Sequence, residues 1–289
     1  MTRCYLGEFV VAHTLLEQCH GLGEPAHRAI GAGLSSDPYA MLLAQLGVTL
    51  AHLGYIDQGR VRLNEAISEA RRLRQALTLP NVLYRGTWIE SIIRSAKIQQ
   101  YADEGLALST EHGFPLFLGW AIAARGWGLV TLRQVPEGLA LLTQGLTAVR
   151  ATGAVSSTPR LYMWLAEAHA MVGQLAEGLN CLVQAAQIIE TTGERHNEAE
   201  LHRLRGNLLY DMGDRSAAEE SYHQALEVAR RQSAKLWELL SATSLGRLWR
   251  DQGKETEARN LLAPVYSWFT EGFDTSVLQD AKALLDELA

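Results

Sequence analysis

Little in this 289-residue chain points to covalent or metal chemistry. Its three cysteines, Cys4, Cys19 and Cys181, are scattered and form no C-x-x-C pair, which excludes a disulfide framework and gives no zinc spacing. A reducing cytoplasm is the expected compartment. Basic residues are in deficit, 26 against 32 acidic ones, so no nucleic-acid footprint is expected. The N-terminus has no basic segment followed by a long apolar run, and no secretory leader is read there. The longest apolar stretch, Leu116 to Leu132, carries Arg125 and reads as a buried helix, not a membrane span. The motifs H-E-x-x-H, G-x-S-x-G and G-x-x-x-x-G-K-[ST] are missing. Gly31-Ala32-Gly33 has no P-loop lysine after it and reads as a flexible linker. His196 and His202 stand six apart and do not share a helical face. No catalytic residue, metal ligand or cofactor is assigned, and the chain is not read as an enzyme.

What the sequence has in abundance is repetition. Leu201 to Leu226 reads as two helices, apolar at spacings of three and four, broken at Gly213-Asp214. Gly206 on the first helix and Ala218 and Ala225 on the second are small where two helices must approach closely. Tyr222 is a large knob on the Ala218 face. Steps of 40 residues from Gly206 reach Ala166, Gly126 and Gly86, and Gly246 ahead; a step of 39 from Gly86 reaches Gly47. The turn glycine returns as Gly54, Gly173 and Gly253, with Ile93 and Arg133 departing from it. The knob returns as Leu63, Leu142, Leu182 and Leu262, with Ala102 weak.

This pattern resembles the tetratricopeptide (TPR) repeat, lengthened from roughly 34 residues so that each helix gains most of a turn. The resemblance implies an all-α fold, a TPR-like α-solenoid wound as a right-handed superhelix with a 40-residue period. One solenoid is expected over 1–289, with about six and a half helix pairs. A half repeat at 5–20 and an irregular linker at 21–36 precede pairs at 37–75, 79–112, 115–152, 158–193, 196–232 and 235–270. A capping helix at 275–288 closes the array, its start read as a Ser276-x-x-Gln279 capping box. About fourteen helices follow from this count. The half repeat lacks its partner helix, so the face carrying Phe9 and Leu16 is expected to find a second copy, giving a homodimer through the N-terminal helix.

A narrower resemblance rests on Ala199–Gly206, Leu248–Gly253 and above all Leu261–Thr275, read as LLAPVYSWFTEGFDT. These phrases are similar to the TPR tails of large bacterial multidomain signalling proteins that carry ATPase and adenylate-cyclase or winged-helix modules. The nucleotide-binding loop of those modules is not present here.

Function is therefore expected at a surface. The inward stripe of each first helix supplies Trp120 and Trp127 in the third pair, and Arg160, Met163 and Glu167 in the fourth. It continues with Arg203, Asn207 and Tyr210 in the fifth and Arg247 and Arg250 in the sixth. Trp, Tyr and Arg dominate interface energetics, and arginine forks suit carboxylates. Arg203, Arg247 and Arg250 are expected to share one basic patch, which pairing with Glu200 or Asp251 would consume. Two function classes compete. The first is a scaffold or regulatory module binding a protein or peptide in its groove. The second is a small-molecule-sensing arm that controls an ATPase, cyclase or transcription-regulator domain. An open trough favours the first and a closed pocket the second. No nucleic-acid or membrane partner is expected.

Overall fold

The computed structural model describes residues 2–30 and 34–289, and all the regular structure among them is helical. The Gly31–Gly33 stretch lies outside the described residues. The chain begins with α1 (Thr2–Tyr5), α2 (Phe9–Gly21) and α3 (Gly23–Ile30). Helix pairs follow as α4 (Pro38–Leu53) with α5 (Ile56–Leu73), α6 (Thr78–Ile92) with α7 (Lys97–His112), and α8 (Pro115–Thr131) with α9 (Val135–Ala151). The next are α10 (Thr158–Met171) with α11 (Leu175–Thr192), α12 (Glu198–Asp211) with α13 (Arg215–Arg231), and α14 (Lys235–Asp251) with α15 (Glu255–Ser267). α16 (Ser276–Glu287) packs on α14 and α15. Each pair packs internally and on its neighbour, which makes the array an α-solenoid. Among the described residues no helix is long and apolar enough to cross a membrane.

The small positions are where helices cross. A Cβ added at Gly206 would stand 2.4 Å from the Tyr222 ring, and Tyr222 is buried with its hydroxyl donating to Asn207 Oδ1 at 2.9 Å. In the second pair the ring facing Gly86 is Tyr101, one position before the weak Ala102. Two turns depart from the glycine pattern: Arg94, with φ 53°, between α6 and α7, and Arg133, with φ 66°, between α8 and α9, take the left-handed conformation that glycine supplies in the other four pairs.

The array bends until its ends meet, because α14 touches α4. Between α15 and α16, the segment 268–276 reaches back over the first two pairs. The Glu271 carboxylate accepts the Asp57 and Gln58 amides at 2.9 and 3.1 Å, and Gly272 N donates to Asp57 Oδ2 at 3.0 Å. Ser276 Oγ donates to Ile93 O at 3.1 Å. This use of Ser276 corrects the expected capping box: Thr275 is the N-cap, and its side chain makes no cap bond. The N-terminal segment seals the other seam. Tyr5 O accepts from Arg195 N at 2.7 Å and His196 N at 3.1 Å.

Closure fills the axis with rings. Phe9 stacks on His52 at 4.6 Å, His196 stacks on Trp88 at 5.3 Å, and Trp237 meets His52 edge-on at 5.9 Å. The inward stripes of the first pairs are thus core: Met41, Ala44, Val48, Leu83 and Glu90 are all buried.

Two expectations at the N-terminus are corrected. Gly23–Ile30 within the supposed linker is a helix packed on α2 and α4, with Pro25 in its first turn, where a missing N–H costs nothing. Phe9 and Leu16 are 0 % and 7 % exposed, Leu16 against Leu42, Leu46 and Leu50 of α4. The premise of the homodimer is removed, since the chain covers both residues itself.

Replacing Gly206 with leucine is expected to destabilise the chain by at least about 1–3 kcal/mol, because the Tyr222 ring cannot retreat without losing its bond to Asn207. Urea unfolding measures this, and an unchanged midpoint would show the crossing to be looser than described.

The axis also predicts a pH dependence. Burial lowers the His52 pKa to about 4 and pushes His196 well below the usual histidine range. The unfolded chain takes up these protons first, near pH 6.5, so stability is full above that value and falls toward pH 4. For His52 alone the slope is at most about 1.4 kcal/mol per pH unit. The melting temperature should fall between pH 7.5 and 5.5, and fall less in His52→Phe. An equal fall in the variant would refute the assignment.

Candidate functional site

Where the axis is not filled, a cavity of about 480 Å³ opens on the concave side. Its walls come from α12, α13, α14 and α16, and Arg94 projects in from the α6–α7 turn. The 40-residue register puts Arg203, Asn207 and Tyr210 of α12 beside Thr243, Arg247 and Arg250 of α14. The rim is wet: the Arg247 and Asp280 side chains are 47 % and 61 % exposed.

The arginines are together but not free, which corrects the expected basic patch. Arg203 is buried and held by Glu200 through two bonds of 2.6 Å. Burial alone would lower its pKa, but the adjacent Glu200 carboxylate outweighs burial and raises it. Arg250 pairs with Asp251 at 2.9 Å and also with Glu287 of α16. Arg247 lies 3.9 Å from Asp280, the loosest of the three contacts. Arg94 is bonded to Glu167 across the axis. An acidic ligand finds no unpaired arginine fork among these four. Tyr210 donates to Asp251, and this bond, ahead of the Arg250 charge, holds the Asp251 carboxyl below its usual range.

A smaller chamber of about 30 Å³ lies next to this cavity, and Arg94, Arg203 and Leu240 line both spaces. Trp127, Met163, Trp164 and Trp237 form its apolar walls, and Arg160, Glu167 and Glu200 also line it. Trp127 stacks on Trp164 at 5.6 Å with Arg94 over its ring. Trp127 Nε1 and Arg160 Nη1 are buried with no hydrogen-bond partner.

The expected residues therefore fall into three groups. Arg203, Asn207, Tyr210, Arg247 and Arg250 line the outer cavity, and Trp127, Arg160, Met163 and Glu167 line the inner one. Trp120 joins neither; it packs in the core against Tyr84, ring centres 4.8 Å apart. Arg94 and Asp280 were not singled out by the sequence reading, and Asp251 entered it only as a carboxylate that could consume the basic patch. For Arg94 a signal existed, since its repeat breaks the turn-glycine pattern, and a side chain held at positive φ is found at functional sites more often than elsewhere.

Comparison with known proteins agrees with this architecture. A family profile described as tetratricopeptide repeat matches residues 157–231, so this stretch is a TPR region. Among curated proteins no sequence matches the chain. Among solved structures the chain is similar to Cut9 in the APC/C hetero-tetramer Cut9–Hcn1, with TM-score 0.61 and 12 % identity over 98 % of this chain and 53 % of that one. It is also similar to a Rap protein complexed with competence and sporulation factor, with TM-score 0.56 and 13 % identity over 86 % and 75 % of the two chains. A third likeness is to aspartyl phosphate phosphatase F from Bacillus subtilis, with TM-score 0.50 and 11 % identity over 86 % and 71 %. At such identities the likeness is one of fold: an all-α, TPR-like solenoid. The chain spans about half the length of the Cut9 chain.

Tyr210→Phe should raise the Asp251 pKa toward the ordinary carboxylate value, because it removes the largest cause of the lowering and leaves the Arg250 pair in place. Carboxyl ¹³C titration reads this directly, and an unmoved Asp251 would show that Tyr210 does not hold it.

Proposed function

We propose that the chain is a binding module that seats a peptide or protein segment in its outer concave cavity, without catalysis of its own. The open rim carries this reading. Exposed Arg247, Asp280 and Asp211 border a volume that a flexible side chain or an extended segment can enter from solvent. Asn207 and Tyr210 offer an amide and a phenol beside it. The ion pairs at this rim are weak and exchangeable, so a charged partner can replace one member of a pair without leaving a bare charge behind. The solved neighbours complexed with competence and sporulation factor and with Hcn1 support a partner-holding role for such a fold. The signalling context rests on the LLAPVYSWFTEGFDT phrase and its resemblance to the tails of multidomain signalling proteins. A cytoplasmic setting follows from the same resemblance and the unpaired cysteines.

The small-molecule reading has one observation in its favour, a volume inside the roughly 300–1,000 Å³ range of ligand pockets.

The test is display selection of random peptides on the full chain, followed by fluorescence polarisation of those enriched. Binding should fall at least tenfold in Arg247→Glu, with the melting temperature unchanged, and in Asn207→Ala, which also lowers the melting temperature by removing the acceptor of the Tyr222 hydroxyl. No enrichment, or enriched peptides indifferent to both substitutions, would reject the proposal. A thermal shift with metabolites in place of peptides would support the sensing arm instead.

A further inference from the structure

Arg160 differs from every other arginine at the site. Its guanidinium is buried, lies 3.7 Å from the centre of the Trp88 ring, and has Nη2 3.4 Å from His196 Nε2. No carboxylate among the described residues is within ion-pair distance of it, and its Nη1 has no partner. Burial lowers its pKa to about 10. Glu194 acts on it only from beyond ion-pair distance. A buried cation without a contacting counter-charge is among the costliest arrangements in a protein interior, and a cation–π contact offsets only part of that cost.

The chamber lined by Arg160 repeats the deficit. Its charged lining residues are Arg94, Arg160 and Arg203 against Glu167 and Glu200, three positive and two negative, which leaves one positive charge in excess. Arg94 and Arg203 are matched by Glu167 and Glu200, so the excess belongs to Arg160. The Trp127 indole N–H is a second orphan donor on the same wall. The volume of about 30 Å³ holds about two water-sized groups, enough for a carboxylate and too little for a ring. Water would fill that space and satisfy donors, but it brings no charge.

We propose that the inner chamber is the anchoring subsite of the concave cavity and takes a single carboxylate, held by Arg160 and the Trp127 N–H, while the apolar body of the ligand stays in the outer cavity beside Tyr210 and Leu240. This rests on the outer cavity being a ligand seat. The residues that line both spaces, Arg94, Arg203 and Leu240, form the passage. Because Arg94 and Arg203 are already paired, the passage does not compete with Arg160 for the anion.

The experiment is ¹⁹F NMR on the full chain with 4-fluorophenylacetate and its neutral counterpart, 4-fluorophenylacetamide. The acid should bind at least tenfold more tightly than the amide. Trp127→Phe keeps a ring in the wall and removes one N–H, and should weaken the acid about tenfold while leaving the amide unchanged. Arg160→Gln should abolish the preference for the acid; if that variant does not fold, Trp127→Phe decides the matter. Equal binding of acid and amide, binding of neither (an ordered water only), or an acid affinity untouched by Trp127→Phe would overturn the subsite. Selected peptides that lose affinity in Arg247→Glu but ignore the fluorinated acid would also overturn it, and would leave the outer cavity's role standing. Carboxylate binding without any selected peptide would uphold the subsite and reject the peptide reading.

Discussion

Glu271 lies 214 residues along the chain from Asp57, yet its carboxylate caps the helix whose first turn holds Asp57. That helix, α5, has Tyr55 at its N-cap and no side-chain cap of its own. A carboxylate at a helix N-terminus satisfies orphan amides and meets the positive end of the helix dipole. The chain's first complete pair is thus finished by residues that follow the last. Most solenoids are sums of nearest-neighbour contacts. Here the stability of the first pair depends on the sixth being folded and in place, and the array gains the cooperativity of a closed core.

Closure also decides where binding can occur. A solenoid groove is open when its turns do not touch, but here His52 and Trp88 of the first two pairs press against Tyr5, His196 and Trp237. The rings there bury their faces in one another, and burial, reinforced by the Arg160 charge, lowers the pKa of both histidines. Beyond this plug, between α12, α14 and α16, the concave wall meets solvent.

Helix pairing was legible in the sequence because a close crossing admits only small residues, and Gly206 facing Tyr222 is that rule in its plainest form. The co-location of Arg203, Asn207, Tyr210, Arg247 and Arg250 followed from the same period. Closure was not legible. A repeat pattern reports what each unit does with its neighbour, and nothing periodic marks a contact between the first unit and the sixth. Trp120 was misplaced for a related reason: the inward position of a stripe is the same whether the groove is open or filled. The LLAPVYSWFTEGFDT phrase stood out as sequence, and the structure gives it a physical role. Trp268 and Phe269 pack near Gly54, Glu271 and Gly272 bind the start of α5, and Asp274 sits 3.7 Å from Arg60.

The charges around the cavity divide by depth. At the rim, Arg247 and Arg250 are paired with side chains more than a quarter exposed, where water competes and an exchange of partners costs little. Deeper, Arg203 and Glu200 are 7 % and 14 % exposed, and breaking that pair would strand a charge away from water. Such a pair is fixed structure. At the bottom Arg160 has no acidic partner to exchange. The rim is therefore permissive toward charge of either sign, the middle is rigid, and discrimination by charge belongs to the deepest side chain. On the binding reading proposed above, such a site admits many segments at its mouth and holds firmly to one chemical group.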